Sequence, residues 1–201
     1  MSWKLTSVST LLTSVGTPGS AGTRLFCVSG CSTRPGLYEA PFGITLREMI
    51  ELAGGVRDGR RLQAVLLGGA AGVFVTPEEL DMPLTFEDTR AAGATLGSGV
   101  IMLFDDTIDL GDTLLRIASF FRDESCGQCV PCRIGTIRQV EALHRLHAAT
   151  GVDGIQAEMA VIDDVGQVMR DASICGLGQT AASAVQSALR KLPVFGSGGS
   201  R

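Results

Sequence analysis

Apolar residues recur at two different spacings along this chain, and the change of spacing divides it in two. Up to about residue 106 the pattern is one of short apolar runs broken by turn residues. Thr23–Gly30 (Thr-Arg-Leu-Phe-Cys-Val-Ser-Gly) reads as a strand, Cys31–Gly36 is dense in turn formers, and Leu37–Gly43 reads as the returning strand of a hairpin. Thr45 followed three residues later by Glu48 has the form of a capping box. It opens a predicted helix that carries Leu46, Met49, Ile50 and Ala53 and stops at Gly54–Gly55. Leu62–Leu67 predicts a third strand and Gly99–Phe104 a last, buried one. Hairpin, helix and further strands, in that order, predict a β-grasp (ubiquitin-like) domain over residues 23–106. Gly68–Gly72 has neither a dinucleotide-loop nor a phosphate-loop spacing and is read as a turn.

After Asp105 and Asp106 the period becomes helical. Leu110, Leu114, Leu115, Ile117, Ala118 and Phe121 share one face and predict a helix over 109–123. Further helices are expected over 133–149, 155–171 and 179–191, the last stopped by Pro193. The expected fold class is therefore α+β: an N-terminal β-grasp domain, then a C-terminal four-helix bundle over 107–193. Residues 194–201, rich in Gly and Ser, read as a flexible tail. Residues 1–22 read as a linker or the remnant of an upstream domain. Their Ser and Thr content, with Lys4 as the single base and no acid, also overlaps with that of an organellar transit peptide.

Composition narrows the partners. The 201 residues carry a net charge of −4 and 45% hydrophobic residues. That balance argues for a folded chain and gives no electrostatic reason to expect nucleic acid. No apolar run approaches the ~18 residues of a membrane-spanning helix, so no direct membrane insertion is expected.

The chemistry lies in the cysteines. Cys126, Cys129 and Cys132 fall in Glu-Ser-Cys-Gly-Gln-Cys-Val-Pro-Cys-Arg, and Cys175 stands alone in Ser-Ile-Cys-Gly-Leu-Gly. Overlapping Cys-x-x-Cys steps plus one remote thiolate are how a chain encloses a cubane iron–sulfur cluster. In an up-down bundle the two loops lie at the same end, so Cys175 can close the cage. Four cysteines also suit tetrahedral zinc, but zinc sites more often pair two Cys-x-x-Cys knuckles, and the three-plus-one split favours the cluster. Pro131 is expected to hold Val130 out of the following helix. Gly127 and Gly176 are expected to let backbone N–H groups approach the ligands, and Arg133 to offset the cage's charge. Thiolate ligands call for a reducing compartment, hence a cytoplasmic setting. Cys27 and Cys31 are read as ordinary thiols, and His144 and His147 as a solvated helix face.

These motifs resemble the flavoprotein (NADH-binding) subunit of respiratory complex I. They equally resemble the diaphorase subunits of NAD-reducing hydrogenases and of NAD-dependent formate dehydrogenases. Arg-Pro-Gly-Leu-Tyr-Glu, Pro-Phe-Gly and Thr-Leu-Arg-Glu resemble that family's soluble-ligand-binding β-grasp (SLBB) domain, and the likeness covers about Thr23 to Pro193. The resemblance implies that Cys126, Cys129, Cys132 and Cys175 hold a [4Fe-4S] cluster, with Gly176 and Leu177 in the segment between cluster and flavin. It implies single-electron relay from a flavin to downstream iron–sulfur subunits, at the membrane periphery through a larger complex. FMN and NADH would come only through a missing or partner domain, because the family's glycine-rich flavin loop has no counterpart here. Where that family has Asn-Asn-Val-Glu-Thr-Leu, this chain has Thr6-Ser7-Val8-Ser9-Thr10-Leu11. The chain is therefore not expected to be catalytic alone. The competing expectation is a scaffold or assembly module with a purely structural metal site.

Overall fold

A computed structural model describes residues 14–149 and 151–195. Most of the expected N-terminal linker and of the C-terminal tail lies outside the described residues. The chain forms two compact units. The first runs to Gly69 and from Val75 to Asp106; the second takes Ala70–Phe74 and the chain from Thr107 onward.

The first unit is built on a mixed sheet. Its strands are β1 (Thr23–Gly30), β2 (Gly36–Pro41), β3 (Leu62–Leu67) and β5 (Val100–Asp105), in the order β2-β1-β5-β3, while the short β4 (Val73–Val75) begins in the segment assigned to the second unit. β1 pairs antiparallel with β2 and parallel with β5, and β3 pairs antiparallel with β5. Alternation along β1 sends Phe26 and Val28 into a core shared with Val65, Leu67, Ile101 and Leu103. Helix α1 (Leu46–Leu52) covers that face with Leu46, Met49 and Ile50. The capping box forms as predicted: the Glu48 N–H donates to Thr45 Oγ1 at 3.1 Å, and the Thr45 N–H donates to the Glu48 carboxylate at 2.8 Å. Helix α2 (Phe86–Ala91), two short 3-10 turns and β4 were not foreseen, because each is too short to complete a period.

Glu87 in the first turn of α2 anchors the segment before β1. The hydroxyls of Thr17 and Ser20 both donate to its carboxylate, and these bonds, Ser20's first, hold its pKa below the usual carboxylate range.

The second unit is helical. Helix α3 (Leu110–Asp123) buries Leu110, Leu114, Ala118 and Phe121 along one stripe and is capped by Asp109, which accepts from the Asp112 N–H at 3.1 Å. Helices α4 (Val130–Ala148) and α5 (Val152–Ala172) follow. They approach closely where Gly135 faces Met169, which is fully buried. The fourth expected segment is interrupted, forming α6 (Gly176–Thr180) and α7 (Ser183–Lys191). At the interruption Gln139, fully buried in α4, donates its Nε2 to the Ala181 carbonyl at 3.1 Å, satisfying a backbone acceptor where the helical ladder breaks.

The expected action of Pro131 is not observed. Helix α4 begins at Val130, with Pro131 inside its first turn. First-turn N–H groups have no intrahelical acceptor, so a proline there costs no hydrogen bond.

Candidate metal centre

Two chain reversals bring the four cysteines to one cavity of about 250 Å³, lined also by Glu124, Ser125, Gln128, Ile174 and Leu177. The first reversal joins α3 to α4. It turns through Gly127 at φ +75°, a conformation a Cβ would strain, and the Arg133 guanidinium reaches back to the Gly127 carbonyl at 3.4 Å. Arg133 thus braces the loop. Cys129 is the N-cap residue of α4 and Cys132 lies in its first turn, while Cys175 is the N-cap residue of α6. Cys132 is buried, Cys129 half-buried, and Cys126 and Cys175 are exposed.

Cys129 has the strongest electrostatic setting. Its sulfur makes no bond of strict capping geometry, yet the backbone N–H dipoles of Ile174 and Cys132 point at it. They lower the thiol pKa below its ordinary value, against the opposing effect of burial. A cysteine at a helix N-terminus is thereby prepared to ligate as thiolate.

The glycines divide differently from expectation. A Cβ at Gly176 would meet nothing within 4 Å. A Cβ at Gly178 would lie 2.6 Å from Ser173 Cβ and 2.9 Å from Cys132 Cβ. The close approach is therefore at Gly178, which lets α6 pack onto the first turn of α4.

Two hydroxyls escaped the sequence reading. Ser125 Oγ lies 3.3 Å from Cys132 Sγ, and Ser173 Oγ is buried without a hydrogen-bond partner. The available signal was a serine within two residues of a cysteine in each loop, easily taken for turn chemistry.

The donor set tests what could sit here. The four candidate donors are sulfurs, with no histidine or carboxylate among them. A tetrahedral zinc ion, with Zn–S bonds of ~2.3 Å, would hold its sulfurs about 3.8 Å apart. Among the described residues, the groups whose donor atoms converge within 4.8 Å include no three of these cysteines. Spread sulfurs around a cavity suit a cluster that takes one thiolate per corner. The group that does converge, Asp109, Asp112 and His147, is exposed, and Asp109 is already engaged as the cap of α3. Cys27 lies on β1 and Cys31 just beyond it, buried.

A cavity lined by four cysteines between helix termini thus stands in a chain that also folds a mixed-sheet unit. Residues 25–71 match the SLBB domain, and residues 112–194 match the NADH-ubiquinone oxidoreductase-F iron-sulfur binding region. The chain carries both matches, one after the other. It is similar to the NADH-quinone oxidoreductase F chain of Mycobacterium bovis, 40% identical over 177 residues, which cover 88% of this chain and 39% of that protein. It is also similar to the HndC component of the NADP-reducing hydrogenase of Solidesulfovibrio fructosivorans, at 35% identity over 87% of this chain and 35% of that one. A crystal structure of an NAD+-reducing [NiFe]-hydrogenase in the H2-reduced state matches with a TM-score of 0.79 and 33% identity, over 90% of this chain and 30% of that chain. The chain thus spans well under half the length of these relatives.

Proposed function

We propose that this chain is an electron-relay module in which Cys126, Cys129, Cys132 and Cys175 hold a [4Fe-4S] cluster. The observation that carries the reading is the convergence of these four cysteines on one cavity. When bound, such a cluster accepts and releases one electron at a time.

The chain's own residues prepare the site. The Ile174 and Cys132 N–H groups favour thiolate at Cys129. Gly178 admits α6 against Cys132, and Gln139 ties α4, which carries Cys132, to the α6–α7 break. Cys126 and Cys175, both exposed, form the open side through which an electron can enter or leave.

In domain terms, the reading takes residues 23–106 as a β-grasp domain, supported by the parallel β1–β5 pair with α1 across one face. It takes 107–193 as a four-helix bundle of α3, α4, α5 and α7, with α6 as a short lead-in. Residues 1–22 join it to a flavin- and NADH-binding domain or subunit, and 194–201 are a tail. The partners are that flavin body and further iron–sulfur subunits, in an assembly of the kind named for its relatives. Among the described residues no helix is long and apolar enough to cross a membrane, in keeping with a place at the cytoplasmic periphery of such an assembly. In this reading FMN and NADH belong to the partner body, and the part taken by these residues is the relay step.

The test is anaerobic reconstitution of the 201-residue chain with iron and sulfide. About four of each per chain, with broad visible absorbance that bleaches on reduction, is the expected result. Stoichiometric zinc with no acid-labile sulfide would overturn the reading.

A further inference from the structure

One serine hydroxyl at the cysteine cavity is oriented by the fold in a way the ligand set alone does not require. Ser125 Oγ accepts from the Gly127 N–H at 3.3 Å, while lying 3.3 Å from Cys132 Sγ. The N–H uses a lone pair of Ser125, and its own O–H remains to be donated. A thiolate carries no proton, so once Cys132 is ionised the hydroxyl is the donor.

We propose that Ser125 is a potential-setting residue, which donates an O–H···S hydrogen bond to the sulfur of Cys132 and makes one-electron reduction of the site more favourable. The inference rests on the cluster reading above. Ser125 adjoins one cysteine in sequence and serves another in space: it precedes Cys126 but faces Cys132. Reduction adds negative charge that spreads onto the thiolate sulfurs. Hydrogen bonds to a charged acceptor strengthen as that charge grows, so the reduced state gains more from them than the oxidised state does.

The test uses the reconstituted 201-residue chain and the variant Ser125→Ala, each assayed for iron and sulfide before its potential is measured by EPR-monitored titration. Ser125→Ala should keep its iron and sulfide and be harder to reduce by several-fold. Ser125→Thr keeps the hydroxyl and should stay near the wild-type potential. Fully loaded Ser125→Ala at the wild-type potential would overturn the proposal and leave the cluster reading intact. If Ser125→Ala fails to hold the cluster, the reduced wild-type chain decides. Exchangeable-proton couplings that change in D2O are expected, and their absence overturns the proposal. Wild-type chain that takes zinc without sulfide would remove the cluster reading and this inference together.

Discussion

Gly178→Ala and Gly176→Ala form the sharpest pair of perturbations, because the two glycines lie about half a turn apart in one short helix and meet opposite surroundings. At Gly176 an added methyl meets nothing within 4 Å, and its φ is not in the left-handed region. At Gly178 the methyl would sit 2.6 Å from Ser173 Cβ and 2.9 Å from Cys132 Cβ. Ordinary carbon–carbon contact is about 3.5–4.0 Å, so roughly 1 Å must be found, and both neighbours are Cβ atoms fixed to backbone. Overpacking of this kind costs about 1–3 kcal/mol. Alanine returns up to about 1 kcal/mol of helix propensity, leaving a net loss near 1 kcal/mol and a shift in melting temperature of about 2–4 °C. The larger consequence is local, since relief pushes Cys132 away from α6 and its N-cap Cys175. In reconstituted chain under a ferrous chelator, Gly178→Ala should release iron several-fold faster than wild type, while Gly176→Ala should match wild type. Equal retention in Gly178→Ala, or equally fast loss from both variants, would refute the packing argument.

Other outcomes follow from the same structure. Cys175→Ser should cut iron and sulfide well below four per chain with far-ultraviolet helicity preserved, because a serine oxygen replaces one thiolate at an exposed position; full cluster content would remove Cys175 from the ligand set. Phe26→Ala, at a fully buried position in the first unit, should cost about 3–5 kcal/mol in denaturant unfolding and leave the potential of the cysteine site unchanged. Thr45→Ala should cost about 1 kcal/mol by breaking the capping box of α1, read from the urea midpoint. Glu87 has a depressed carboxyl pKa, so its contribution is present above the ordinary carboxyl value of ~4.3. It is lost as the pH falls through the lower folded value. Glu87→Gln should therefore flatten the pH dependence of the urea midpoint below about pH 5, and an unchanged profile would count against the tether to Thr17 and Ser20.

Long periodic signals were legible in the sequence. β3 occupies Leu62–Leu67 and α3 starts at Leu110, because a bounded apolar run and a helical leucine stripe each dictate a buried face over many residues. Thr45 and Glu48 announced their helix start, since both halves of a capping box are local chemistry. Short elements were not legible: Val73–Val75 and Phe86–Ala91 carry less than two turns or two alternations of pattern. Pro131 misled for a related reason. A proline marks a helix boundary, but only the tertiary setting decides on which side of it the first turn forms.

The sequence by itself determined the chemistry: four cysteines in a three-plus-one spacing, and helices to carry them, because thiolate donors and helical periodicity are properties of residue type and order. Only the tertiary structure decided how close the two cysteine-bearing segments come and what faces their sulfurs. Gly178 rather than Gly176 is the crowded glycine, and Ser125 turns its hydroxyl to a cysteine that it does not adjoin in sequence. Close packing and hydrogen-bond direction depend on which atoms meet across separate segments, and no spacing along one chain specifies that.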